Sequence, residues 1–74
     1  MTPVVYTKPG CVACNGTKRK FDNLGIDYDL IDITIDHDAR EYLLSQGFQE
    51  MPVVMVGDTA WSGYRPDRIT ALVA

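Results

Sequence analysis

Cys11 and Cys14 are the only cysteines in a chain of 74 residues. A thiol pair at this spacing can close a short disulfide, supply half of a metal site, or exchange electrons with another disulfide. As a staple it is weak, because closing a loop of about four residues removes only ~2 kcal/mol of unfolded-chain freedom. As a zinc site it is incomplete. Tetrahedral zinc takes four ligands, so the single histidine, His37, and a carboxylate or a second chain would have to complete the set. His37 lies in the polar run Asp36-His37-Asp38 and reads as a surface residue without a role; no metal is expected. Electron exchange is the chemistry that needs this pair and nothing more. A thiolate attacks a disulfide best when its pKa is near ambient pH. A cysteine near ~8.5 when free falls to ~7 at the mouth of a helix in a C-x-x-C motif. Side chains at i and i+3 share a helical face, so Cys14 can reach Cys11 without a backbone rearrangement. Cys11 is therefore expected to attack and Cys14, more buried by position, to resolve the mixed disulfide. Lys8, three residues before Cys11, either favours the thiolate electrostatically or is a solvated loop charge.

The elements that must position this pair follow from the chain's rhythm. Val4-Val5-Tyr6 is a short β-rich run ended by the turn residues Pro9-Gly10. From Cys11 to about Leu24 the pattern becomes helical, with Val12, Thr17, Phe21 and Leu24 on one stripe and Gly25 as the stop. Tyr28–Ile33 reads as a second strand. Asp36 or Thr34 can cap a second helix whose buried side is Ala39, Tyr42, Leu43 and Leu44, ending at Gly47. Val53–Val56 and Thr59–Trp61, separated by Gly57-Asp58, form a hairpin. Pro66 opens a third helix with Asp67 at its positive end, completed by Arg68, Ile69, Leu72 and Val73. The order is β-α-β-α-β-β-α. Its first unit requires a parallel pair with a right-handed crossover, and the hairpin adds an antiparallel pair. The expected fold class is α/β, one domain over residues 1–74, with a mixed four-stranded sheet flanked by three helices.

Composition narrows the function. An apolar fraction of 46% suits a small globule, and a net charge of −3 argues against nucleic acid as a partner. The one basic cluster, Lys18-Arg19-Lys20, falls late in the first helix, where cations complement the dipole. Consecutive helical residues point in different directions, so the trio cannot form a single flat patch; a solvated helix face is expected, with partner docking as the other reading. No stretch approaches the ~18 apolar residues of a membrane span. The start, Met1-Thr2-Pro3-Val4, lacks a basic segment followed by an apolar one. A monomeric cytoplasmic protein without membrane contact is the expectation.

With C-x-x-C, the element order and Met51-Pro52 in place, the chain resembles the thioredoxin superfamily, nearer glutaredoxin in length. Trp61-Ser62-Gly63-Tyr64-Arg65-Pro66-Asp67 looks like the W-S-G-[FY]-R-P-D signature of the NrdH-redoxins. The resemblance runs from Tyr6-Thr7-Lys8-Pro9 to the last helix. It implies a thioredoxin-like fold and a dithiol carrier that takes electrons from thioredoxin reductase, hence NADPH. The carrier delivers them to the C-terminal tail of the class Ib ribonucleotide reductase large subunit. No bound cofactor is implied beyond the Cys11–Cys14 disulfide. The resemblance also implies a cis Pro52 facing the cysteines, with Met51 free to pair with an extended substrate. Contacts to partners are expected from Lys8, Val12, Ala13, Met51, Pro52 and the segment Trp61, Ser62, Gly63, Tyr64, Arg65 and Asp67. For that segment a structural network over the last helix is the other reading. Ala13 stands where relatives often carry Gln, and Tyr64 where Phe is common. Tyr64, Arg65 and Pro66 occupy the region where glutaredoxins hold glutathione, leaving less for the tripeptide to bind. A glutathione-dependent glutaredoxin is the alternative.

Overall fold

A computed structural model describes residues 2–74. The strand β1 (Val4–Thr7) is central and alternates in burial along its length. It is followed by α1 (Val12–Asn23), β2 (Asp29–Asp32), α2 (His37–Ser45), β3 (Val53–Val56), β4 (Thr59–Ser62) and α3 (Pro66–Ala71). The sheet order is β2-β1-β3-β4. β1 runs parallel to β2, with Tyr6 opposite Ile31, as a crossover through α1 requires. It runs antiparallel to β3, with Val5 opposite Val54, and β3 pairs antiparallel with β4, Val54 opposite Trp61. This is a thioredoxin-like fold.

Because side chains alternate across a strand, the sheet has two cores. On one face Val5, Val54 and Trp61 pack with Phe21 of α1 and Ile69 of α3, and Phe21 stacks at a tilt on Tyr28 with ring centroids 5.1 Å apart. On the other, Ile33, Leu43 of α2 and Val53 gather the partly buried Tyr6, Phe48, Met51 and Met55.

The helix ends are locked by local bonds. Beyond α1, the Ile26 amide donates to the Phe21 carbonyl and the Gly25 amide to that of Asp22. Gly25 holds φ at +68°, the left-handed turn that this motif needs and that glycine adopts without a Cβ clash. The same pattern closes α2, where the Phe48 amide donates to Leu43. Asp36, not Thr34, caps α2: its Oδ1 accepts from the Ala39 amide at 3.0 Å, while Thr34 bonds back to Asp32.

Several side chains expected inside lie outside. Val12 is 85% exposed. The buried stripe of α1 is Cys14, Thr17 and Phe21, and at 100° per residue Val12 falls about 200° from Cys14, on the opposite side. Tyr42 and Leu44 are both 47% exposed. Only Leu43 of α2 reaches the core, and its sequence neighbours are turned 100° to either side. Leu72 and Val73 follow the end of α3 and are also exposed.

Candidate active site

The turn Lys8–Gly10 carries the chain from β1 into α1, and Cys11 occupies the N-cap of that helix with extended backbone angles. The first amides of a helix have no partner within it. Here the Cys11 sulfur does what a serine or aspartate oxygen does at other helix starts. It accepts from the Cys14 amide at 3.1 Å, while the Cys11 carbonyl accepts the first helical bond, from Asn15, at 3.1 Å. Cys11 and Cys14 form a disulfide with Cα atoms 5.2 Å apart. Cys14 is fully buried and Cys11 is 9% exposed, so of the two residues Cys11 alone reaches solvent. Behind them Thr17, also buried, donates its hydroxyl to the Ala13 carbonyl at 2.9 Å and so leaves no stranded polar atom in the wall.

Opposite the sulfurs, the Met51–Pro52 peptide is cis and Pro52 is buried. The Met51 carbonyl lies 3.6 Å from Cys11 Sγ, a distance at which a protonated thiol would donate to it. The Pro52 carbonyl accepts from the Gly63 amide at 2.9 Å, which ties the Ser62–Tyr64 loop to the proline loop. Gly63 turns with φ at +81°, again left-handed.

The remaining candidates separate into two groups. Trp61 lies beneath the site, in the α1 core, with its Nε1 lacking a partner among the described residues and the Arg68 guanidinium 5.8 Å from its ring. Arg65 grips Asp67 through Nε to Oδ1 at 3.3 Å and Nη2 to Oδ2 at 3.1 Å, and this fork holds the Asp67 carboxyl below the ordinary carboxylate range. Lys8 and Met51, by contrast, line an open cleft of about 530 Å³ with His37, Arg40, Phe48 and Gln49. On the other side of Cys11, Val12, Ala13, Gly16, Arg19 and Tyr64 line a groove of about 560 Å³. It continues along α1 past Lys20.

No motif singles out Arg40 or Gly16, and Arg19 and Lys20 stand out in the sequence only as members of the basic trio. The basic trio does not form one patch: Arg19 and Lys20 border the groove along α1 and Lys18 does not. Arg19 and Lys20 stand three and four residues beyond Gly16, so both border the gap that its missing side chain leaves. The i, i+4, i+7, i+8 spacing of Val12, Gly16, Arg19 and Lys20 was the available signal. Among the described residues no group of three His, Cys, Asp or Glu side chains could hold a metal ion, and no helix is long and apolar enough to cross a membrane.

The arrangement has close counterparts. The glutaredoxin family model matches residues 4–61. The glutaredoxin-like protein NrdH of Escherichia coli is 44% identical over 97% of this chain and 89% of its own, and that of Salmonella typhimurium 42% over the same shares. A solved structure of the NrdH-redoxin from Escherichia coli superposes with a TM-score of 0.95 at 44% identity, covering 97% of this chain and 95% of that one. It is described as a glutaredoxin-like protein with a thioredoxin-like activity profile.

Proposed function

The chain belongs to the glutaredoxin family, among its NrdH-like members, and with the Cys11–Cys14 pair it is a thiol–disulfide oxidoreductase; on that premise we propose that it carries electrons from thioredoxin reductase to the class Ib ribonucleotide reductase. The observation that carries this reading is the division between the two sulfurs. One caps a helix at the surface, and its mate is sealed behind it.

The cycle follows from that geometry. Reduced Cys11 is favoured as a thiolate because the Cys14 amide and the positive end of α1 face its charge. The thiolate attacks one sulfur of the substrate disulfide. A bond forms from Cys11 to that sulfur, the substrate S–S bond breaks, and the departing substrate sulfur takes up a proton. Cys14, having lost its own proton, then attacks Cys11 Sγ. The mixed disulfide breaks, the Cys11–Cys14 bond forms, and the second substrate sulfur leaves as a thiol. Two electrons and two protons have passed to the substrate. Thioredoxin reductase, with NADPH, returns them.

The Met51 carbonyl beside Cys11 supports recognition of an extended segment, with the substrate backbone lying along Met51 as an added strand. A flexible, cysteine-bearing tail of the reductase large subunit meets that requirement. Lys8 lines the cleft beside Met51, and Val12, Ala13 and Tyr64 line the groove along α1. The Gly63 amide ties its loop to the proline loop, Ser62 pairs with Val53, Trp61 packs in the α1 core, and Arg65 and Asp67 pair at the surface.

One observation favours glutathione as a reductant instead. Lys8 and Arg40 put two cations into the cleft beside Met51, where a tripeptide carboxylate would sit well. Against it, Asp67 is already taken by Arg65, and Tyr64 adds bulk beside the Gly63 turn. An assay with a disulfide peptide of the large-subunit tail separates the two. NADPH with thioredoxin reductase should sustain turnover, and glutathione with its own reductase should not. Turnover by the glutathione system alone would overturn the proposal. The reading places the protein in the cytoplasm, where both NADPH and nucleotide reduction are found.

A further inference from the structure

The charges of this molecule are segregated. Five of its seven cationic side chains, Lys18, Arg19, Lys20, Arg65 and Arg68, lie on α1, on α3 or at the start of α3. Eight of its ten acidic ones lie elsewhere. The two acids on these helices are both occupied away from the groove beside Cys11. Asp22 faces Tyr28, whose phenol its charge and hydrogen bond help to push up, after burial. Asp67 is held in the Arg65 fork. What remains along the groove is Val12 and Tyr64 near the sulfur, both exposed, and then Arg19 and Lys20. Gly16 keeps it open. A Cβ there would meet the Tyr64 ring at 3.6 Å, so a methyl fits in contact but any longer side chain would have to displace the ring or fill the gap. A glycine inside a helix is less stable than alanine by roughly 0.5–1 kcal/mol, and an open floor is what that sacrifice leaves.

We propose that this groove seats the part of the substrate chain flanking its disulfide, and that it selects substrates whose flanking residues are acidic. The proposal rests on the electron-carrier reading and adds to it the chemistry of the preferred substrate. A groove that begins at Val12, the residue after the reactive cysteine, and is lined along α1 as far as Asn23 suits an extended peptide. An apolar contact at Val12 and Tyr64 positions it near Cys11. Arg19 and Lys20 then supply the only strong fields along its path among the described groove residues. In a protein whose net charge is −3, an acidic peptide is repelled by most of the surface and steered to this stripe.

Two synthetic peptides test this, each with the same intramolecular cysteine disulfide, one flanked by Asp and Glu and the other by Lys. Reduced protein is mixed with each in single turnover at low salt, and exchange is stopped with acid and resolved by mass. The wild type should react faster with the acidic peptide by about tenfold, with the preference shrinking as salt rises. Arg19→Glu/Lys20→Glu should reverse the order, and Arg19→Gln/Lys20→Gln should abolish the preference. A ratio that stays the same in both variants, including an equal fall for the two peptides, overturns the proposal. A wild type that reduces neither peptide overturns the carrier reading with it.

Discussion

The two faces of the sheet are built to different standards. On the α1 and α3 side, Val5, Phe21, Val54 and Ile69 are wholly enclosed and two helices cover them. On the α2 side, a single nine-residue helix contributes one enclosed leucine, and Tyr6, Phe48, Met51 and Met55 stay partly exposed around it. The sulfurs belong to the first side and Met51, the group that faces them, to the second. A resolving cysteine must stay out of solvent until it is needed, and a nearly void-free interior provides that. A substrate strand laid along Met51, as proposed, has to be admitted and released, and a lightly covered sheet end suits that. Rigid support on one flank and open access on the other is the lesson of the contrast.

That contrast can be broken most decisively at the sulfurs. Cys11→Ser should abolish turnover in the coupled NADPH assay. Cys14→Ser should keep the attacking sulfur and accumulate a mixed disulfide with the tail peptide, read by mass spectrometry of the intact adduct. Equal behaviour of the two variants would erase the distinction between reachable and sealed thiol. Packing gives the next largest effect. Phe21→Ala should cost about 3–5 kcal/mol and Leu43→Ala about 2–3 kcal/mol, compared by urea midpoints. The difference arises because half-exposed neighbours of Leu43 can close over the gap. A core this small rarely supplies more than about 3–5 kcal/mol net, so Phe21→Ala should lose most of the stability and show much the lower midpoint. Equal losses would mean that the two faces are packed alike.

Smaller effects probe the polar joints. Asp36→Ala removes the cap that accepts from Ala39 and should cost about 1 kcal/mol, seen as a lower thermal midpoint with α1 unaffected. The smallest is a pH effect, with one carboxylate on each side. Hydrogen bonds from the Thr34 hydroxyl and then its amide hold Asp32 low, and the Arg65 guanidinium holds Asp67 low. Both folded values lie below the ordinary 3.8. Their contributions are therefore intact above that pH and vanish as pH falls through the depressed values. Carboxyl NMR titration should find both below 3.8; a normal value at either would remove its proposed joint.

Much of this was legible in the chain because it is local. A strand, a Pro-Gly turn and a C-x-x-C announce a sulfur at a helix start within a dozen positions, and the hairpin around Gly57-Asp58 is equally compact. The antiparallel pairing of Val4–Tyr6 with Val53–Met55 was not legible, since nothing near either segment names the other. Val12 misled because an apolar side chain beside a reactive cysteine looks like core, and only the rotation set by Cys14, Thr17 and Phe21 shows otherwise. Arg19 and Lys20 were read by their adjacency to each other. Their shared relation to Gly16 and Tyr64 depends on a loop more than forty residues away, joined to the proline loop through the Gly63 amide.

The sulfur at the start of α1 is both cargo site and end-piece of the helix. Once Cys11 holds a negative charge, the Cys14 amide is pinned by an ion; in the disulfide it meets a neutral atom. Reduction thus strengthens this one hydrogen bond while it removes the covalent link between the two sulfurs. The protein's charge state is in this way written into the exchange rate of a single backbone proton.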